Sequence, residues 1–226
     1  MGAVLAMTHS IKYAIFGALL AASSACGSLG DDGVGAQLAD VAVGLASGQA
    51  NAPAATGVLI TEEELVGNPG KFLRVNMRKL DRWDTMVPAA TNGSRVTWVD
   101  NENNTVTLEN GLIVATRGLP RDIMGASVNG VWAAIRAGGG TAQRTHEFLD
   151  DNDQIAQELL QCSIVLKGSE TVERLSQTLN SRRFEEICVG ERLQLTNIYW
   201  LNSTGQLLRS LQAISADAGY LQIDTF

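Results

Sequence analysis

Apolar residues alternate with polar ones over residues 72–79, with Leu73, Val75 and Met77 on one side and Arg74, Asn76 and Arg78 on the other. That period of two predicts a half-buried strand. Residues 95–100 alternate again, with Val96 and Trp98 sharing a side. The clearest local signal lies in residues 105–116, where TVTLE and LIVAT flank Asn110-Gly111. An Asn-Gly pair between two apolar runs predicts a type I′ hairpin, because both turn residues must adopt positive φ. The NENN run at 101–104 turns the preceding strand into this hairpin, so residues 95–116 read as a three-stranded meander. Further strands are expected over 142–149, 158–167, 191–201, 206–214 and 220–225, with the turn between the last pair but one at 202–205. Helical patterning is confined to short pieces. TEEEL at 61–65 sets Thr61 as N-cap with Glu64 three residues on, a capping box, and residues 128–137 form a short helix. Gly138, Gly139 and Gly140 read as a hinge or loop. Residues 169–180 are ambiguous, because Val172, Leu175 and Leu179 have helical spacing in a segment that is also compatible with extended chain. The expected class is mainly β, barrel-like or with strongly curved antiparallel sheets, and with a few short helices.

The N-terminal pattern differs from the rest. Residues 13–22 (YAIFGALLAA) form one apolar run of about ten residues behind Lys12, too short to span a bilayer and matched to a secretory signal. Met1 and Met7 are both acceptable starts. SSAC at 23–26 resembles a lipobox with Cys26 as the lipidated residue, although Ser23 stands where leucine is usual and Ser23-x-Ala25 also suits ordinary signal cleavage. Lipidation would tie the chain to a membrane by several acyl chains, each buried CH₂ contributing about 0.8 kcal/mol. Gly27 after the cysteine points, by analogy with enterobacterial lipoproteins, to an outer-membrane anchor facing the periplasm. Residues 27–57 are rich in Gly, Ala and Ser, with a possible short helix over 37–45. The expected organisation is therefore a signal over 1–25, a tether over 26–57 and a β-rich domain over 58–226.

Composition narrows the choices. The chain has 226 residues, 45% hydrophobic and 18% charged, and a net charge of −7. Affinity for a nucleic-acid backbone rests on clustered Lys and Arg, and no such cluster stands out, so nucleic acid is not an expected partner. Three cysteines are present. With Cys26 assigned to lipid, Cys162 and Cys188 form an even pair in an oxidising compartment, either bridged or buried as free thiols.

Catalytic chemistry is hard to find. Of two histidines, His9 lies in the signal and His146 stands alone, with no triad spacing. No metal or nucleotide motif is evident, so no catalytic residue, metal or cofactor is expected. Aromatic faces beside arginines suit sugar rings and their acidic groups. On that basis Trp98, Arg117, Arg121, Trp200, Arg209 and Gln212 are candidate contacts to a ligand or partner. Arg209, Ser210 and Gln212 are expected on one strand face. Tryptophans in a β domain of this size also commonly serve as core.

Two longer runs carry a family resemblance. Residues 97–126 (TW, then TVTLENGLIVATRGLPRDIMGA) and the closing run from Asn197 (NIYWLNSTGQLLRSLQAISADAGYLQIDTF) resemble the YjbF/GfcB lipoproteins of group 4 capsules. Asn197, Tyr199, Trp200, Gly205, Arg209, Ser210 and Gln212 fall in that family's order, whereas Leu208, Ile123 and Pro120 depart from its pattern. The resemblance implies a β-barrel-like fold, no known catalytic activity and a role in exopolysaccharide or capsule production and export. The partner implied is the polymer or a polysaccharide-export protein. An envelope lipoprotein without sugar contact, and a polysaccharide-modifying enzyme, are the alternatives.

Overall fold

A computed structural model describes residues 60–226. The signal, Cys26, the helix expected at 37–45 and the whole tether lie outside the described residues. The chain opens with helix α1 (Glu62–Gly67), where Thr61 Oγ1 accepts from the Glu64 amide and Glu64 reaches back to the Thr61 amide, the reciprocal cap expected of that sequence. Strands follow as β1 (Leu73–Met77), β2 (Arg82–Asn92), β3 (Arg95–Val99), β4 (Thr105–Glu109), β5 (Leu112–Arg117) and β6 (Gly125–Ser127). Helix α2 (Asn129–Arg136) separates these from β7 (Gly139–Leu149), β8 (Ile155–Arg174), β9 (Gln177–Val189), β10 (Gln194–Leu201), β11 (Leu207–Ser215) and β12 (Gly219–Thr225).

All strand pairs are antiparallel, in the order β5-β4-β3-β2-β1-β12-β11-β10-β9-β8-β7-β6. The two ends of this twelve-stranded sheet, β5 and β6, are joined by one short loop and meet, with the Thr116 amide donating to the Ile123 carbonyl at 3.0 Å. The sheet is thus curled into a nearly closed barrel. Asn110 and Gly111 have φ of 54° and 82°, the type I′ geometry that the Asn-Gly pair requires. A Cβ on Gly111 would also lie 2.5 Å from Leu207 Cδ2, so the turn is packed as well as twisted.

Strands β2, β6 and β9 lie outside the expected set. β2 pairs first with β1 and then with β3, and it bends between the two at a bulge next to Pro88. Proline has no amide to donate and is tolerated at such a bulge. The ambiguous segment 169–180 is the far end of a long hairpin, made of the last residues of β8, a turn with Leu175 in the left-handed region at φ 53°, and the first residues of β9. The glycine triplet is not a hinge: Gly139 and Gly140 pair with Val165 and Ile164 as the first residues of β7. Their φ values of 133° and 141° explain why glycine is needed where α2 passes directly into a strand.

Two apolar clusters fill the interior. One joins α2, through Val131, Ala134 and Ile135, to Leu160, Ile164, Phe184, Leu195 and Leu201 of β8–β10. The other joins Leu73, Val75, Met86, Trp98, Val106 and Leu108 to Ile214, Leu221 and Ile223. β5 lies between them, with Leu112 and Val114 in the first and Ile113 in the second. Burying such side chains contributes roughly 1.5–3 kcal/mol each. Cys162 and Cys188 face each other across β8 and β9 and are joined as a disulfide.

Candidate functional site

Between the two apolar clusters lies a polar one. Glu186 on β9 points inward between Phe184 and Cys188, all three almost fully buried. Its carboxylate accepts from Arg144 Nη1 at 3.1 and 3.3 Å, Asn197 Nδ2 at 2.7 Å and the Tyr199 hydroxyl at 2.6 Å. The Arg144 and Glu186 side chains are both 0% exposed. Arg144 also donates through Nε to His146 Nε2 at 2.9 Å and through Nη2 to the Ile113 carbonyl at 3.3 Å. Gln212, from β11, accepts from the Ile113 amide and donates to the Gly111 carbonyl and to Ser210. Arg144 and Gln212 therefore satisfy main-chain groups on the free edge of β5, which has no neighbouring strand there. An unpaired buried peptide group is costly, so this network is what allows the edge of β5 to be buried.

The electrostatics follow from burial. Burial works against the Arg144 charge, but Glu186 and Tyr199 outweigh it and hold the guanidinium above its usual value. Burial, and next the Glu186 charge, push Tyr199 well above the ordinary phenol range. Burial, then the Arg144 charge, pull His146 from 6.5 down to about 3. Its imidazole is neutral, with Nε2 accepting and the proton on Nδ1. The Sγ of Cys162 and of Cys188 and one Glu186 oxygen lie within 4.8 Å of one another, the one potential metal-ligand group among the described residues. Zinc is held by thiolates, which a disulfide does not offer, and the carboxylate is already engaged. With every member bonded and shut off from solvent, the cluster acts as an internal brace.

The candidate residues divide accordingly. Trp98 is only 7% exposed and packs in the second apolar cluster, and Gln212 is fully buried, so neither reaches a ligand. Arg209 does not share a face with Ser210 and Gln212, because a strand turns adjacent residues to opposite sides. Ser210 and Gln212 point inward, while Arg209 lies on the opposite face and pairs with Asp224, which is itself buried, at 2.5 and 2.7 Å. Arg117 directs its guanidinium to the carbonyls of Thr116, Ile123 and Met124 and so fastens the β5–β6 junction. Arg121 is exposed, with weak ion pairs to Asp151 and Asp217. Of the six, Trp200 alone bonds to a residue that lines an open groove. Its indole Nε1 donates to Glu170 Oε1 at 2.5 Å.

That groove, of about 410 Å³, lies where the β8–β9 hairpin extends past the end of β10. Ser169, Glu170, Thr171, Asn180, Arg182 and Ser203 line it. β8 carries a bulge between Leu166 and Gly168 just before it. Such a bulge redirects the side chains beyond it. The lining offers hydroxyls, an amide, one guanidinium and one carboxylate, the last bonded to the Trp200 indole. This arrangement was missed in the sequence because β9 itself was not recognised; a strand over 177–189 would have placed Asn180 and Arg182 opposite Thr171 and Ser169.

The fold is similar to that of a solved protein, the hypothetical lipoprotein YmcC from Escherichia coli (K12), with TM-score 0.56 and 19% identity over 68% of this chain and 80% of that one. No curated protein matches the chain. A family model described as "Group 4 capsule polysaccharide lipoprotein gfcB, YjbF" matches residues 10–226. The two runs that carry the resemblance supply the Asn-Gly hairpin and most of the internal brace, and they lie within that match. The chain belongs to the YjbF family of group 4 capsule polysaccharide lipoproteins.

Proposed function

We propose that the protein assists assembly or export of an exopolysaccharide by binding the polymer at the groove beside Trp200, while anchored through Cys26 to the outer membrane and facing the periplasm. The observation that carries this reading is the lining of the groove. A sugar ring presents hydroxyls that need both donors and acceptors, and C–H faces that need an apolar surface. Ser169, Thr171, Asn180 and Ser203 offer the first, and Arg182 suits an acidic substituent; the reading assigns the second to the Trp200 indole, which is tied to the lining through Glu170. The barrel interior is filled by the two apolar clusters and the brace between them, so the reading assigns recognition to the outer surface. Membership of a capsule polysaccharide lipoprotein family supports the pathway.

Deleting the gene and measuring secreted polymer tests this role. The deletion strain is expected to secrete several-fold less polymer. The wild-type gene should restore secretion and the Cys26→Ala variant should not. Normal secretion without the gene would refute the role, and full rescue by Cys26→Ala would refute the anchor.

A further inference from the structure

The outward face of β7–β10 differs from the rest of the barrel. Over β11, β12, β1 and β2 the outward positions carry the ion pairs Arg209–Asp224 and Arg82–Asp84. Over β8 the outward positions from Ile155 to Val165 hold no charged residue. Leu159 and Val165 on that strand are 51% and 44% exposed, and Ile187 and Val189 beside them on β9 are 39% and 51% exposed. In register with these lie Gln161 opposite Val189, and Thr196 opposite Ile187. The result is a field of aliphatic, hydroxyl and amide side chains, bounded by Glu147 at one end and by Glu185 and Lys167 at the other.

We propose that a second copy of this chain docks on this field, sheet against sheet, about a two-fold axis close to Gln161 and Ile187. Three physical points select a copy of the same chain. First, the chain carries a net charge of −7, so two copies repel through most of their surfaces, and the uncharged field is where they meet without apposed charges. Second, the field is self-complementary. Its amides and hydroxyls each both donate and accept, so across a two-fold axis Gln161 of one copy pairs with Gln161 of the other. Third, the size fits. β7 and β8 run together for about 33 Å at a width of about 10 Å, and β9 and β10 double that width only over the Gln161–Val165 end. That is roughly 450 Å² in plan before side-chain relief, near the roughly 500 Å² per partner that a specific interface needs. Face-to-face sheets pack about 10 Å apart with interdigitated side chains, and Leu159, Val165, Ile187 and Val189 supply the apolar part.

The full chain in its own cell envelope provides the test. A benzoylphenylalanine photo-crosslinker replaces Gln161 and, in a second strain, Thr196; a control strain carries it at the exposed, distant Glu102. Irradiation is expected to give a band at twice the mass of the chain for both probes on the field and none for the control. Ile187→Glu, at an exposed position that leaves the core intact, should reduce that band at least tenfold with unchanged protein level. The proposal is overturned by no adduct, by an adduct of any other mass, by an equal doubled band from Glu102, or by a doubled band that survives Ile187→Glu.

Discussion

Arg144→Met is expected to destabilise the folded protein by about 3–5 kcal/mol, the cost of removing one partner from a buried ion pair. The loss has identifiable parts. The Glu186 carboxylate is left charged, with only Asn197 and Tyr199 as donors. The Ile113 carbonyl and His146 Nε2 lose their donor as well. The double variant Arg144→Met/Glu186→Gln should be more stable than the single one, recovering at least half of the loss. A neutral amide needs no counter-charge, and its oxygen still accepts from Tyr199 and Asn197. Equilibrium unfolding in denaturant reads both differences. A single variant within about 1 kcal/mol of wild type, or a double variant less stable than the single, would mean that the pair does not brace β5.

Acid is expected to unfold the protein partly through His146. Its imidazole titrates at about 3 in the folded barrel and near 6.5 in the unfolded chain. Above pH 6.5 both states are neutral at this site and it adds no pH dependence. As pH falls from 6.5 towards 3 the unfolded chain takes up a proton that the folded one refuses. Stability is then lost at about 1.4 kcal/mol per pH unit from this group. Between pH 6.5 and pH 4 that sums to about 3 kcal/mol. His146→Gln keeps an acceptor for Arg144 Nε and does not titrate, so its stability should fall less over the same interval, by about that amount. Identical slopes for wild type and variant would place His146 in contact with solvent.

Much of the fold is legible in the sequence where one residue pattern has one physical solution. Asn110-Gly111 admits a tight hairpin, and Thr61 with Glu64 admits a capped helix start. Alternation in β3 and β4 with the hairpin into β5 marks the meander, and alternation marks β1 as a separate strand. The misses share a cause. In β9 the inward positions hold Glu186 between Phe184 and Cys188, while Ile187 and Val189 point outward. This inverts the usual pattern of apolar inside and polar outside, so SRRFEEICV does not read as a strand. β2 lacks sustained alternation and contains Pro88, because it changes partners midway.

The site was legible only in part, for a related reason. Asn197, Tyr199, Ser210 and Gln212 stand out in the closing motif, but their partners Arg144 and Glu186 are distant in sequence and join them only when β7, β9 and β11 are in place. A motif of polar residues at alternate strand positions suggests a binding face. Here its inward half braces the barrel, and its outward half, at Trp200, bonds to a residue of the groove. The Trp200 indole is held by Glu170, which lies 30 residues away on the hairpin whose second arm the pattern concealed.

The most direct measurement is the affinity of the purified chain for the exopolysaccharide of its own cell, compared with Trp200→Ala and Arg182→Ala by calorimetry. Wild type is expected to bind the polymer without shortening it, and each variant to bind at least tenfold more weakly with an unchanged thermal midpoint. No binding by wild type, or equal binding by all three proteins, would contradict recognition at this groove.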